Sequence, residues 1–187
     1  TQMVDRGQFY HLQCGADHHG PQERGGGGAE YGMIRYHVQN AGRYEAVHGG
    51  KVGLERSHVD NGRRGIIEAD GWGSQVEFEH DHVENAGSIE ADTGGEISFY
   101  ASHVENDYSG AIEADGKGAK IDFVRGGIAN RGFVGASRGG SILFDKSWVN
   151  NERSGEIEAG GKGSTVTLKH DHVENSGEIE ASRGGEV

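Results

Sequence analysis

Residues 85–106 read N-A-G-S-I-E-A-D-T-G-G-E-I-S-F-Y-A-S-H-V-E-N, and every block of that stretch returns along the chain. The closing Asn falls at Asn40, Asn61, Asn85, Asn106, Asn130, Asn151 and Asn175, in steps alternating between 21 and 24 residues. The I-E-A block recurs as Ile67-Glu68-Ala69, Ile112-Glu113-Ala114, Ile157-Glu158-Ala159 and Ile179-Glu180-Ala181. A V-x-F block follows, as Val76 and Phe78, Ile121 and Phe123, Ile142 and Phe144, or Val166 and Leu168. A Gly turn such as Asp70-Gly71-Trp72-Gly73 separates the two, and an H-V-x-N tetrad completes the unit. The three extra residues of the longer unit are placed alike throughout, two after the Asn and one in the Gly turn. Self-similarity at a fixed period marks a repeat architecture.

Composition alone points the other way. The chain has 187 residues, 35 of them Gly, with 30 acids against 18 bases, a formal net charge of -12 and a mean hydropathy of -0.70. Leu, Ile, Val and Phe make up about a fifth of it, a balance typical of disorder. A disordered chain has no reason to keep such spacing, so the repeats decide for a folded one. Each block is short and alternates apolar with polar residues, the period-2 pattern of a strand with one buried face. Between blocks stand Gly, Asn, Asp and Ser, which supply tight corners. The pattern predicts an all-β protein, a single parallel β-solenoid with three short strands per turn and turns alternating between 21 and 24 residues. Right-handed coiling is expected by analogy with parallel β crossovers. The interior of such a coil is narrow and needs few apolar side chains, which reconciles fold with composition. Leucine-rich repeats, with their several Leu per repeat, do not fit a chain that has four in all.

Residues 37–187 carry the regular repeats, and the register predicts that the chain stops mid-turn at Val187. Residues 1–36 read as degenerate first turns, with Phe9 and Met33 on the Phe position of V-x-F, Glu23 on the Glu of I-E-A and Cys14 as a small buried hydrophobe. The Gly25–Gly28 run reads as a flexible corner. Neither end carries a polar cap, which predicts a piece of a longer protein or end-to-end self-association. No apolar run approaches a membrane span. The acidic balance disfavours nucleic acid as a partner. One Cys excludes an internal disulfide framework and Cys-based zinc motifs.

The combination N-x-G-x-I-E-A, a Gly pair, V-x-F and V-x-N resembles the repeats of large secreted bacterial proteins, the β-strand-repeat adhesins and RTX-like exoproteins of Gram-negative bacteria. The resemblance runs over nearly the whole chain and is strongest from Asn61 onward. It implies export, location outside the cell or on its surface, a role in attachment without catalysis, and frequent use of calcium. The G-G-x-G-x-D-x-U-x nonapeptide of the RTX calcium roll is missing, so calcium binding does not carry over from that motif.

Outward positions hold the titratable groups. Stacked turns place Glu45, Glu68, Glu90, Glu113, Glu158 and Glu180 in one column, with Asp70, Asp92 and Asp115 beside three of them. Carboxylates about 5 Å apart repel by roughly 1–3 kcal/mol per pair unless they are solvated or bridged by a cation. Glu68, Asp70, Glu90, Asp92, Glu113 and Asp115 are therefore candidate calcium ligands, oxygen donors of flexible geometry. A second column holds His37, His58, His82, His103 and His172, with Asp60, Glu84, Glu105 and Glu174 alongside. His80 and His170 extend it into H-D-H triplets, making His80, His82, His103, His170 and His172 candidate transition-metal ligands. One unit breaks both columns: Gly127 stands for His, Gly135 for Glu and Trp148 for the next His, and Arg125, Arg131 and Arg138 are expected to cluster there. Arg125, Arg131, Arg138 and Trp148 are the candidate surface for a glycan or other surface partner.

Two function classes follow. The first is a non-catalytic structural or adhesive module, a rigid acidic rod with calcium as its candidate cofactor. The second is a β-helix polysaccharide lyase or glycoside hydrolase. Catalysis of the second kind needs two acids in different environments within a cleft, whereas a ladder makes its acids alike.

Overall fold

The computed structural model describes residues 23–25 and 30–187, so Phe9, Cys14 and Gly26–Gly28 lie outside the described residues. The described chain is a parallel β-solenoid. Its I-E-A blocks form an eight-stranded sheet running from Glu23–Gly25 to Glu178–Ser182. The V-x-F blocks form a seven-stranded sheet from Glu30–Ile34 to Thr165–Lys169, and the H-V-x-N tetrads another from His37–Asn40 to His172–Asn175. These three are termed the Ala, Phe and Asn sheets after their inward residues. Each strand pairs in parallel with the strand one turn on, and the Asn register reproduces the 21- and 24-residue alternation. At the N-terminal end Met33 pairs with Leu54 on the Phe position. Glu23 does not take the Glu position expected of it: it pairs with Tyr44, and Arg24 faces Glu45. In that degenerate strand no I-E-A motif fixes the register, and the sequence match was one residue out.

Like stacks on like inside. Phe78, Phe99, Phe123 and Phe144 are fully buried, with ring centroids 4.7, 4.7 and 4.8 Å apart and planes within 14°. That interval is the spacing of hydrogen-bonded strands, so the backbone sets the ring stack. Burying such a side chain contributes about 1.5–3 kcal/mol. Ala69, Ala91, Ala114 and Ala136 form a parallel ladder opposite, small enough to leave room for the rings.

A polar ladder closes the third corner. Asn106 Nδ2 donates to Asn130 Oδ1 at 2.8 Å and to the Phe133 carbonyl at 3.1 Å, while its own Oδ1 accepts from Asn85 at 2.8 Å. The same link runs from Asn40 through Asn151 to Asn175. An amide carries both donors and an acceptor, so it can stack on itself with every polar atom satisfied. This ladder also explains the Gly after the Asn: a Cβ on Gly110 would collide with Asn106 Oδ1 and the Asn85 carbonyl. We expect Asn106→Ala to destabilise the protein by about 2–4 kcal/mol, because it strips a buried partner from each neighbour. Exposed Arg64→Ala should change stability by less than about 0.5 kcal/mol, both read from urea denaturation.

Candidate functional site

The outer edge of the Asn sheet brings imidazoles and carboxylates into one row. In an H-V-x-N strand the Val and Asn point inward, so the His and the residue two further on point out together. The rings of His58 and His82 stack at 4.9 Å, and those of His82 and His103 at 5.5 Å. His37 meets His58 edge-on at 4.8 Å. Their Nε2 atoms face the carboxylates of the same strand and the next. His37 Nε2 lies 2.8 Å from Asp60 Oδ2, and His58 Nε2 lies 2.8 Å from Asp60 Oδ1 and 3.5 Å from Glu84 Oε1. His82 Nε2 stands 3.4 Å from Glu84 Oε1 and 3.8 Å from Glu105 Oε1, and His103 Nε2 3.8 Å from Glu105 Oε1. A groove of about 320 Å³ runs beside the row, lined among others by Asp60, Glu84, Glu105, Asp107 and Arg131. The ring stack ends at Trp148, whose ring lies parallel to His103 at 6.4 Å across Gly127, where the missing side chain leaves it room.

The acidic column on the Ala sheet is real in register but unequal in environment. Glu68, Glu90 and Glu113 stack, as do Asp70, Asp92 and Asp115. Of the six candidate calcium ligands, the oxygens of Glu68, Glu90 and Asp92 come within 4.8 Å of one another. Arg43 donates to Glu68 at one end of the column, and Arg138 to Asp115 at the other. Between them, burial first and then the charges of Glu90, Glu68 and Asp70 hold Asp92 above the ordinary carboxylate range. Glu113 is raised in the same way, by burial and then by Glu90 and Asp92. At Gly135 the column stops because the Phe133 ring occupies the space a side chain would fill. Beyond it Glu158 and Glu180, which the sequence placed in the column, form a second acidic group with Glu156.

Other candidates are separated by the corners. His80 and His170 sit at left-handed corner positions, φ 59° and 58°, ahead of the Asn-sheet strands. His80 turns to Glu79 and Tyr100, and His170 to Asp145. Among the described residues, no three-residue ligand group includes His80, His170 or His172. The three arginines do not gather either. Arg125 occupies the Phe–Asn corner, its Nη1 donating to Tyr100 Oη at 2.9 Å; Arg131 pairs with Glu152 at the Asn–Ala corner, and Arg138 with Asp115 at the Ala–Phe corner. Sequence neighbours within one turn point outward in three directions. Arg125 instead belongs to a ridge of left-handed corner residues running through Arg35, Arg56, His80, Ala101, Lys146 and His170.

Asp81, the centre of the first H-D-H triplet, was not singled out. It is buried and accepts the Ser57 backbone N–H at 2.5 Å through Oδ1. Its own N–H donates to Ser102 Oγ. The signal in the sequence was Ser recurring at that register as Ser57, Ser102 and Ser147, with Asp standing in its place. Burial, aided by the charges of Glu55 and Glu79 and opposed by backbone hydrogen bonds, pushes the Asp81 carboxyl up to about 7.

Fold and faces together define a repeat β-solenoid with titratable columns on its outer surfaces. No family model matches the chain, and no curated protein matches it. Among solved structures it is similar to a crystallised hyper-glycosylated TibA55-350 fragment, glycosylated by TibC, at 8% identity and a TM-score of 0.25, over 93% of this chain and 95% of that one. A likeness that weak carries no functional argument. No helix among the described residues is long and apolar enough to cross a membrane.

A carboxyl raised in the folded state stabilises the protein fully below its unfolded value near 3.8, and that contribution is lost as the pH climbs through about 7. Melting temperature should therefore fall between about pH 4 and pH 8, mostly below pH 7, by the equivalent of up to about 4 kcal/mol for Asp81. Asp81→Asn, which keeps the acceptor for Ser57, should flatten that part of the profile.

Proposed function

We propose that the chain is a non-catalytic structural or adhesive repeat module, a rigid acidic rod of a secreted or cell-surface protein. The observation that carries this reading is the unbroken register. From Asn40 to Asn175 each Asn-sheet strand meets its copy in the next turn, and no insertion exceeds the three residues of the long unit. A polysaccharide lyase or hydrolase would need one turn to open into a cleft with unlike acids. The ridge of Arg35, Arg56, Arg125 and Lys146 at the Phe–Asn corner, where Arg56 also meets Glu55 and Lys146 meets Asp145, is the line of cations on which an acidic glycan would lie, in place of the scattered Arg125, Arg131 and Arg138.

Calcium is the ion that would stiffen the rod, bridging Glu90 and Asp92 with Glu68 released from Arg43. Two raised carboxyls in that column, Asp92 and Glu113, support the reading, because a divalent cation offsets both the burial of their charged forms and the neighbouring charges that raise them. Thermal unfolding in EDTA and in millimolar Ca²⁺ tests it. Calcium at about 100 times its dissociation constant adds about 2.7 kcal/mol, a rise of about 5–10 °C for a domain of this size, which Glu90→Gln should remove. An unchanged melting temperature with an intact fold would leave a metal-independent rod. Incubation with acidic polysaccharides separates the two function classes: retention on the polymer without shortening it supports the module, and depolymerisation overturns it.

A further inference from the structure

The His–carboxylate row on the Asn sheet has a geometry that a solvated surface does not require. A zinc-type ion in a tetrahedral site lies about 2.0–2.2 Å from its ligands, which puts those ligands about 3.4 Å from one another. The Nε2-to-carboxylate distances along the row run from 2.8 to 3.8 Å and bracket that value. Three sets of two imidazoles and one carboxylate result: His37, His58 and Asp60; His58, His82 and Glu84; His82, His103 and Glu105. Two imidazoles with one carboxylate are a known donor set for zinc and related divalent metals, with a fourth position left for water. The side chains are between a third and just over half exposed, so that position is open to solvent.

The sets overlap, and this constrains occupancy. His58 belongs to the first and second sets, and His82 to the second and third. One Nε2 lone pair binds one ion, so the middle set cannot fill when both outer sets are filled.

We propose that the outer edge of the Asn sheet binds two divalent transition-metal ions of the zinc class, one at His37, His58 and Asp60 and one at His82, His103 and Glu105. The middle set stays empty in the doubly loaded protein. Glu84 then acts only as a bystander, although it is the carboxylate nearest the centre of the row. Calcium on the Ala sheet plays no part in this, since imidazole nitrogen suits zinc and copper while calcium takes oxygen.

Zinc titration of the whole chain by calorimetry, with circular dichroism to confirm the fold, reads the count directly. Relative to the parent protein, Glu84→Gln should lose no ion. His58→Ala and His82→Ala should each lose one, because each leaves one outer set whole. The double variant His58→Ala/His82→Ala should lose two. A second readout is Trp148, the sole tryptophan once Trp72 is replaced by Phe. Its ring lies 6.4 Å from His103, so Cu²⁺ seated on His82 and His103 should quench its fluorescence. His103→Ala should abolish that quenching and His37→Ala should leave it. The proposal is overturned if the double variant binds as many ions as the parent, if Glu84→Gln loses an ion, or if quenching survives His103→Ala.

Discussion

Each strand residue described in this solenoid lies directly above the residue at the same position of the next turn, usually its own copy, and the rest of the structure follows from that constraint. Parallel strands in register leave no freedom to offset one repeat against the next. A residue therefore succeeds at a position only if it can stack on itself. Phe does so through ring contact at 4.7 Å, and Ile, Val and Ala through apolar packing. Asn does so because one amide both donates and accepts, which lets a polar residue occupy a buried corner in turn after turn.

Carboxylates cannot stack on themselves without cost, and the outer faces record several answers to that. On the Ala sheet, Arg43 and Arg138 hold the two ends of the acidic column, and Phe133 covers the gap at Gly135. Between them, Asp92 and Glu113 carry raised carboxyls. On the Asn sheet a column of acids runs beside a column of imidazoles, so each carboxylate faces a ring nitrogen from its own turn or from the turn before. Asp81 is a third case. It stands in a corner ladder with Ser57, Ser102 and Ser147, a position that Asp171 also occupies, and its burial is compatible with the fold chiefly when it is protonated.

The fold was legible because the repeat is long and its punctuation regular. Inward Phe99, Ala91 and Asn106 were each identifiable from period and position. The strand boundaries follow the Gly and Asn corners, where chain direction changes. The N-terminal strand was less legible: Glu23 proved one residue out because no Ile or Ala marks the register there. Of the site, the two columns were readable since alternate strand residues share a face. The corners were not. His80 stands two residues before His82, as an in-strand neighbour would, yet the left-handed residue at the corner rotates it toward Tyr100.

What the sequence determined by itself was the identity of the ladders, since a strict repeat fixes which residues stack. Tertiary structure alone decided which ladder members meet in chemistry, because that depends on direction around the coil and not on spacing along it. Arg125, Arg131 and Arg138 share one turn and face three ways. His37 and His103 lie three turns apart and stand in one row, joined through His58 and His82. A corner turns the side chains by a large angle over one or two residues, whereas a stack carries a direction unchanged over many.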